Sequence, residues 1–188
     1  MQRIDNIEEG RLTRSLAYAG YILLAFEILR GLVIDPLKAF YTNVTFATDM
    51  PFKSYEQDVR SRHKKEFEAC LLYLRDFMKV IDAVDYQAIL DLREHRNQLA
   101  HELPTHLLSL DFGSNEELLN AAHKAIFKIS NHQAYMEIGS DPAFKGIDWS
   151  IAKGHEYAIL ETIIEKAKLL RFQLPDFSAN SDQNAELM

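Results

Sequence analysis

Residues that break or cross-link a chain are scarce in this sequence: seven Gly, five Pro and one Cys among 188 positions. So few breakers exclude a fold of many short strands joined by tight turns, and favour long helices. The lone Cys70 excludes an intrachain disulfide framework and a cysteine-rich zinc site, which suits a reducing, cytoplasmic setting. Positive charge is also short, with 21 Lys and Arg against 28 Asp and Glu and a net charge of −7. A general nucleic-acid coat needs a surplus of Lys and Arg to meet phosphates, so that class is excluded. RNA could be handled only through a local basic site or with a basic partner. Gly-rich phosphate loops, Ser-nucleophile elbows, internal repeats and low-complexity tracts are missing. Metal-binding patterns are missing as well. None of the seven His follows a Glu by three residues, as a di-iron carboxylate bundle requires. His101 and His106 are five apart where a zincin helix needs four. Neither a metal nor a cofactor is expected.

One apolar run is long. Leu16 to Ile34 reads LAYAGYILLAFEILRGLVI, close to the length of a membrane-spanning helix. Glu27 and Arg30 lie inside it, and each charge near a bilayer centre costs about 2.5–3.5 kcal/mol. A buried helix with one polar seam is the expectation, without membrane. The run starts late and no small-residue cleavage site follows it, so no signal peptide is expected.

What remains is helical patterning in a chain long enough for one domain with a substantial core. A first helix is expected from about Asp5 to Val33, stopped by Asp35-Pro36. A connector from Phe40 to Phe52, rich in Thr and aromatics, either packs over the bundle or holds a short extended piece. A second helix starts at Ser54 with Gln57 as its capping-box partner, and carries Val59, Phe67, Cys70, Leu71, Leu74, Phe77, Met78 and Ile81 at helical spacing. A third starts near Asp85 as N-cap and ends by Pro104. A fourth starts at Ser114 with Glu117 as its acidic partner, and places Leu118, Leu119, Ala122, Ile126 and Ile129 on one side. Gly139 and Pro142 mark a break. A fifth starts near Asp148, with Ile151, Ala158, Ile159, Thr162, Ile163, Ala167 and Leu170 as its stripe. The expected architecture is all-α, an antiparallel bundle of four to five helices over residues 1–175, with 176–188 a polar, flexible tail.

The third helix carries the chemical signal. On a wheel of about 100° per residue with Arg96 at zero, Ala88, Ile89, Leu92, Leu99 and Leu103 fall within roughly −80° to +20°, the core stripe. Gln87, Asp91, Glu94, Gln98 and Glu102 form an acidic outer face. Arg96 is a misfit inside the apolar arc, where a guanidinium needs an anion or several acceptors. A third arc, at roughly 40–140°, holds Arg93, Asn97, Ala100 and His101. One flank therefore presents two arginines, an amide and an imidazole. Without further pattern, a satisfied Arg tying two helices and a His at a helix C-terminus explain such a seam.

The run Arg96-Asn97-Gln98-Leu99-Ala100-His101 resembles the signature of the HEPN (higher eukaryotes and prokaryotes nucleotide-binding) family: an Arg, commonly a polar residue after it, and a His after four to six intervening residues, four here. The short helical plan is similar over the first to fifth helices; the motif is sharp only over these six residues. The resemblance implies a homodimer in which two motifs face each other in one composite site, and RNA cleavage without metal. It implies that His101 is the general acid/base, that Arg96 holds the scissile phosphate, and that Asn97 orients the His or the phosphate. Attack by the ribose 2′-hydroxyl implies a 2′,3′-cyclic phosphate product and resistance of DNA. Such proteins commonly act as toxins or in phage defence, held by an antitoxin or another inhibitor protein. In one branch, silenced at a Tyr two residues after the His, the matching position is a Tyr; here it is Leu103, which puts that silencing in doubt.

A basic run, Arg60, Arg62, His63, Lys64 and Lys65, is the local phosphate-binding candidate in an acidic chain, and Arg93 joins Arg60, Arg62, Lys64 and Lys65 as an expected RNA contact. The simpler account of that run is a solvated helix face. His123, His132 and His155 stand alone as surface residues, and Tyr18, Tyr21 and Phe26 are expected in the core. The competing function is a non-catalytic helical module that dimerises and binds a nucleotide or a protein partner.

Overall fold

The computed structural model describes residues 2–45, 50–106 and 115–170. Among the described residues there are six α-helices and no strand. They are α1 (Gln2–Asn43), α2 (Tyr55–Asp58), α3 (Glu66–Asp76), α4 (Ala83–His106), α5 (Glu116–Ile138) and α6 (His155–Leu169). α1 is the spine, packing against α6, α4 and α3, and α5 closes the bundle between α4 and α6. Asp85, near the start of α4, meets Lys128 in the second half of α5, so these two helices run antiparallel. His123 of α5 meets Tyr157 near the start of α6, while Asn131 donates to the Ala152 carbonyl just before α6. That pair is antiparallel too. One continuous core joins Ile22, Leu29, Leu71, Ile89, Leu92, Leu119, Ile126, Leu160 and Ile164.

α1 does not stop at Asp35. It continues through Pro36 to Asn43, correcting the expected end. Pro36 has no N–H to give the Leu32 carbonyl, and the Gln133 side chain of α5 donates to that oxygen instead. The freed acceptor is satisfied from a neighbouring helix, so the proline is tolerated. α1 is long and apolar enough to cross a membrane, with mean hydropathy 1.6, and half of its apolar window is buried inside the bundle.

The single helix expected from Ser54 is instead α2, a short 3-10 turn over Arg60–Arg62, and α3. Ser54 is the N-cap as expected, its hydroxyl accepting from the Gln57 N–H at 3.2 Å. His63 and Lys65 then adopt extended backbone, which puts the basic run at a break rather than along one helix face. Asp58 holds the break down. Its carboxylate accepts from the Lys53 N–H at 2.7 Å and the Tyr41 hydroxyl at 2.9 Å, and Tyr41 also meets the Tyr73 hydroxyl at 2.9 Å. Phe52 packs edge-on against Phe40 and Phe77, so the Phe52 end of the connector lies on the bundle.

Asp82, not Asp85, opens α4. Its Oδ1 accepts from the N–H groups of Val84 and Asp85, and Asp85 reaches back to the Asp82 N–H at 3.0 Å, a reciprocal cap. α4 runs past Pro104 to His106. α5 begins after Asn115; Ser114 lies outside the described residues, as do 171–188, including the expected tail. α6 begins at His155, seven residues later than Asp148. Ile151 is exposed before it, and its core stripe is Tyr157, Leu160, Ile163, Ile164 and Ala167.

Candidate functional site

The core stripe expected on α4 is present: Ala88, Ile89, Leu92 and Leu99 are buried, while Gln87, Asp91, Glu94 and Gln98 are exposed. The Leu103 side chain lies outside the described residues. Arg93, Arg96 and Asn97 sit at the margin, half-buried, and His101 and Ala100 are exposed.

Each arginine has a carboxylate. Arg96 donates through Nη2 to Glu27 Oε1 of α1 at 3.0 Å and through Nη1 to Asn97 Oδ1 at 3.3 Å, and its guanidinium lies 5.6 Å from the Phe26 ring centre. Its Nε is buried without a hydrogen-bond partner. Glu27 also faces Arg30 at 3.6 Å. So the polar pair inside the apolar run of α1 is the counterpart of the α4 seam. Arg93 donates to Glu68 of α3, which Lys65 approaches at 3.7 Å. Glu68 is 6 % exposed. Burial pushes its carboxyl up, but the Arg93 hydrogen bond and the nearby Lys65 outweigh this and hold it below the usual carboxylate range. Arg93, Asn97, Lys65, Arg30, Glu66 and Glu68 line one groove of about 320 Å³ between α1, α3 and α4. Its cations and carboxylates are interleaved, so it carries no strong field of one sign.

Among the described residues no hydrogen bond joins Arg96 to His101. Five positions along an α-helix turn the second side chain about 140° from the first and carry it about 7.5 Å along the axis. Within one chain the two groups flank the helix rather than meet.

The basic run is mostly engaged. The Arg62 Nε donates to the Asp58 carbonyl at 2.7 Å and its guanidinium covers the Tyr73 ring at 5.3 Å. Arg60 reaches the Lys64 carbonyl, with Nη1 buried and unpartnered. Lys65 serves Glu68, and the exposed Lys64 stands at the turn. Only Lys65 shares the groove with Arg93 and Asn97.

Three features escaped the sequence reading. Glu68 sits in the buried run Phe67-Glu68-Ala69-Cys70-Leu71, and a charge amid four apolar neighbours was the available signal. His95, one residue before Arg96, is 8 % exposed and its Nε2 lies 2.9 Å from the Tyr18 hydroxyl. Asn115 hydrogen-bonds the same phenol, and burial raises the Tyr18 pKa and lowers that of His95. His123 is not a lone surface group: its Nε2 lies 2.6 Å from the Tyr157 hydroxyl and 3.6 Å from Glu161. Burial, with Lys168 nearby, lowers the His123 pKa. Burial also pushes Tyr157 up to about 12.

Compared with protein-family models, with curated proteins and with solved structures, the chain matches none of them.

Proposed function

We propose that this chain is a HEPN-like endoribonuclease, with a bundle of that type, that cleaves RNA without metal at a site closed between two copies of itself. The observation that carries the reading is the accessibility of the motif. Arg96 is held at the bundle margin by the half-exposed Glu27, and His101 is exposed one and a half turns on. Neither is sealed in the core, and neither is bonded to the other. A second motif packed opposite supplies each arginine with an imidazole from across the interface.

In that site one His101 takes the proton of the ribose 2′-hydroxyl as its oxygen attacks phosphorus. The bond from phosphorus to the 5′-oxygen breaks, and that leaving oxygen takes its proton from water. Arg96 and its symmetry mate offset the charge on the phosphoryl oxygens. To do so, Arg96 must exchange Glu27 for phosphate. An exposed ion pair is worth about 0–1 kcal/mol, so the exchange costs little. Asn97, already on the guanidinium, keeps it oriented during the exchange. A cellular role as a toxin or defence effector, restrained by an inhibitor protein, follows from the same reading.

The test is incubation of the purified chain with total RNA in EDTA, beside Arg96→Ala and His101→Ala. The native chain is expected to give fragments with 2′,3′-cyclic phosphate ends and to leave DNA intact. Each variant is expected to lose at least a hundredfold in rate, the scale of one general acid–base group. The carboxylates on Arg93 and Arg96 favour a second reading, in which the seam is structural and the chain is a non-catalytic module binding a nucleotide or protein. Intact RNA with the native chain, and no inhibitor protein bound to it, would select that reading.

A further inference from the structure

At the C-terminal end of α1, from Pro36 to Asn43, the bundle holds a cavity of about 480 Å³. None of its lining residues belongs to α4, so it is separate from the seam. Its walls come from the last turns of α1, the end of α3 and the end of α5, with Leu37, Tyr73, Phe77, Met78, His132 and Met136 as the main surfaces. Tyr73 and Phe77 stack, with ring centres 5.0 Å apart and planes 20° apart, and Phe40 and Phe52 add two more rings to the lining. Phe77 and Met136 are 41 % and 55 % exposed, so the opening is apolar too. The volume falls in the range of small-molecule sites, which are mainly apolar with a few polar groups that set orientation.

We propose that this cavity binds an uncharged, largely apolar aromatic small molecule. The charge pattern selects that class. No Lys or Arg lines the cavity, and its one carboxylate is Glu137, on exposed helix near the end of α5. A nucleotide or any other anion would enter without a counter-charge and against that carboxylate. His132 lines the cavity, but its Nε2 is sealed from it and has no hydrogen-bond partner, so that atom offers a bound molecule no hydrogen bond. The Gln133 amide is committed to the Leu32 carbonyl, so apolar contact is what α5 contributes.

The experiment is a titration of the full chain with N-phenyl-1-naphthylamine, a neutral aromatic amine, read by its fluorescence and by the methionine methyl NMR signals. One saturable equivalent is expected, with Met78 and Met136 methyl shifts that exceed those of Met50. Ala39→Trp and Met136→Trp, both at exposed positions lining the mouth, are expected to weaken binding at least tenfold with an unchanged thermal midpoint. The sulfonated analogue, 8-anilinonaphthalene-1-sulfonate, is expected to bind at least tenfold more weakly than the neutral amine. Unsaturable binding, shifts spread over all methionines, or equal affinity for the sulfonate overturns the proposal. The methionine shifts decide it even if both tryptophan variants melt early.

Discussion

At the scale of single residues, the two arginines of α4 look alike in sequence and differ in what they hold. Arg93 neutralises Glu68, which is nearly fully buried; Arg96 meets Glu27, which is half-exposed. Removing Arg93 leaves a buried carboxylate with only Lys65 nearby. Arg93→Ala is therefore expected to cost on the order of 2 kcal/mol in urea unfolding, against less than about 1 kcal/mol for Arg96→Ala. Equal costs would mean that Arg96 is as structural as Arg93, which weakens its assignment to catalysis. Lys79 offers a second check. It is the one non-glycine residue with positive φ among the described residues, at 58°. There it turns the chain so that the Val80 N–H reaches the Leu74 carbonyl at 2.9 Å. A side chain in that region costs about 1–2 kcal/mol, part of which is returned as glycine's extra freedom in the unfolded state. Lys79→Gly is expected to raise stability by about 0.5–1 kcal/mol, read from the same urea curves. At this scale the seam itself was legible, because Arg96 broke an apolar arc and Glu27 broke an apolar run. That these two misfits answer each other was not, since nothing local sets a pairing across 69 positions.

At the scale of elements, helix existence was legible and helix ends were not. Local rules stop α1 at Asp35 and α4 at Pro104, yet both helices continue. For α1 the reason is tertiary: Gln133 replaces the hydrogen bond that Pro36 cannot make. Gln133→Ala is expected to cost about 1–3 kcal/mol by orphaning the Leu32 carbonyl. In a Pro36→Ala background, where a backbone N–H returns, the same change is expected to cost much less. A double-mutant cycle by chemical denaturation reads the coupling, and additive costs would refute the account. α6 failed differently. Its apolar residues lie on more than one face, with Ile159 and Leu169 exposed beside the true stripe of Tyr157, Leu160 and Ile164. Periodicity admitted two stripes, and packing on α1 and α5 chose between them. The basic run was misplaced because the Ser54 cap and the Asp58 carboxylate's bonds to Lys53 and Tyr41 close a short turn that hydrophobic spacing alone does not reveal.

At the scale of the whole molecule, three histidines are held neutral by burial: His95, His123 and His132. Their folded pKa values lie below the unfolded value near 6.5. The unfolded chain thus binds more protons as pH falls, and stability present above pH 6.5 is lost on the way to the lower folded values. The carboxylates lowered by ion pairs, Glu66 and Glu68, act further down, below their ordinary 4.5. The thermal midpoint is expected to fall between pH 6.5 and 5, before any carboxylate contributes. His95→Gln, which keeps a hydrogen-bonding group beside Tyr18 without a titrating ring, is expected to flatten part of that slope. A flat midpoint over this interval would contradict the burial of these rings.

The central claim is that two copies complete what one copy separates, since Arg96 and His101 flank α4 about 140° apart. Mixing Arg96→Ala chains with His101→Ala chains, each inactive alone, tests it most directly. Unfolding and refolding the mixture forms dimers in which one subunit gives the guanidinium and the other the imidazole. The account predicts that RNA cleavage in EDTA returns in the mixture. Cleavage that stays at the level of the separate variants, while mixed dimers are shown to form, contradicts it.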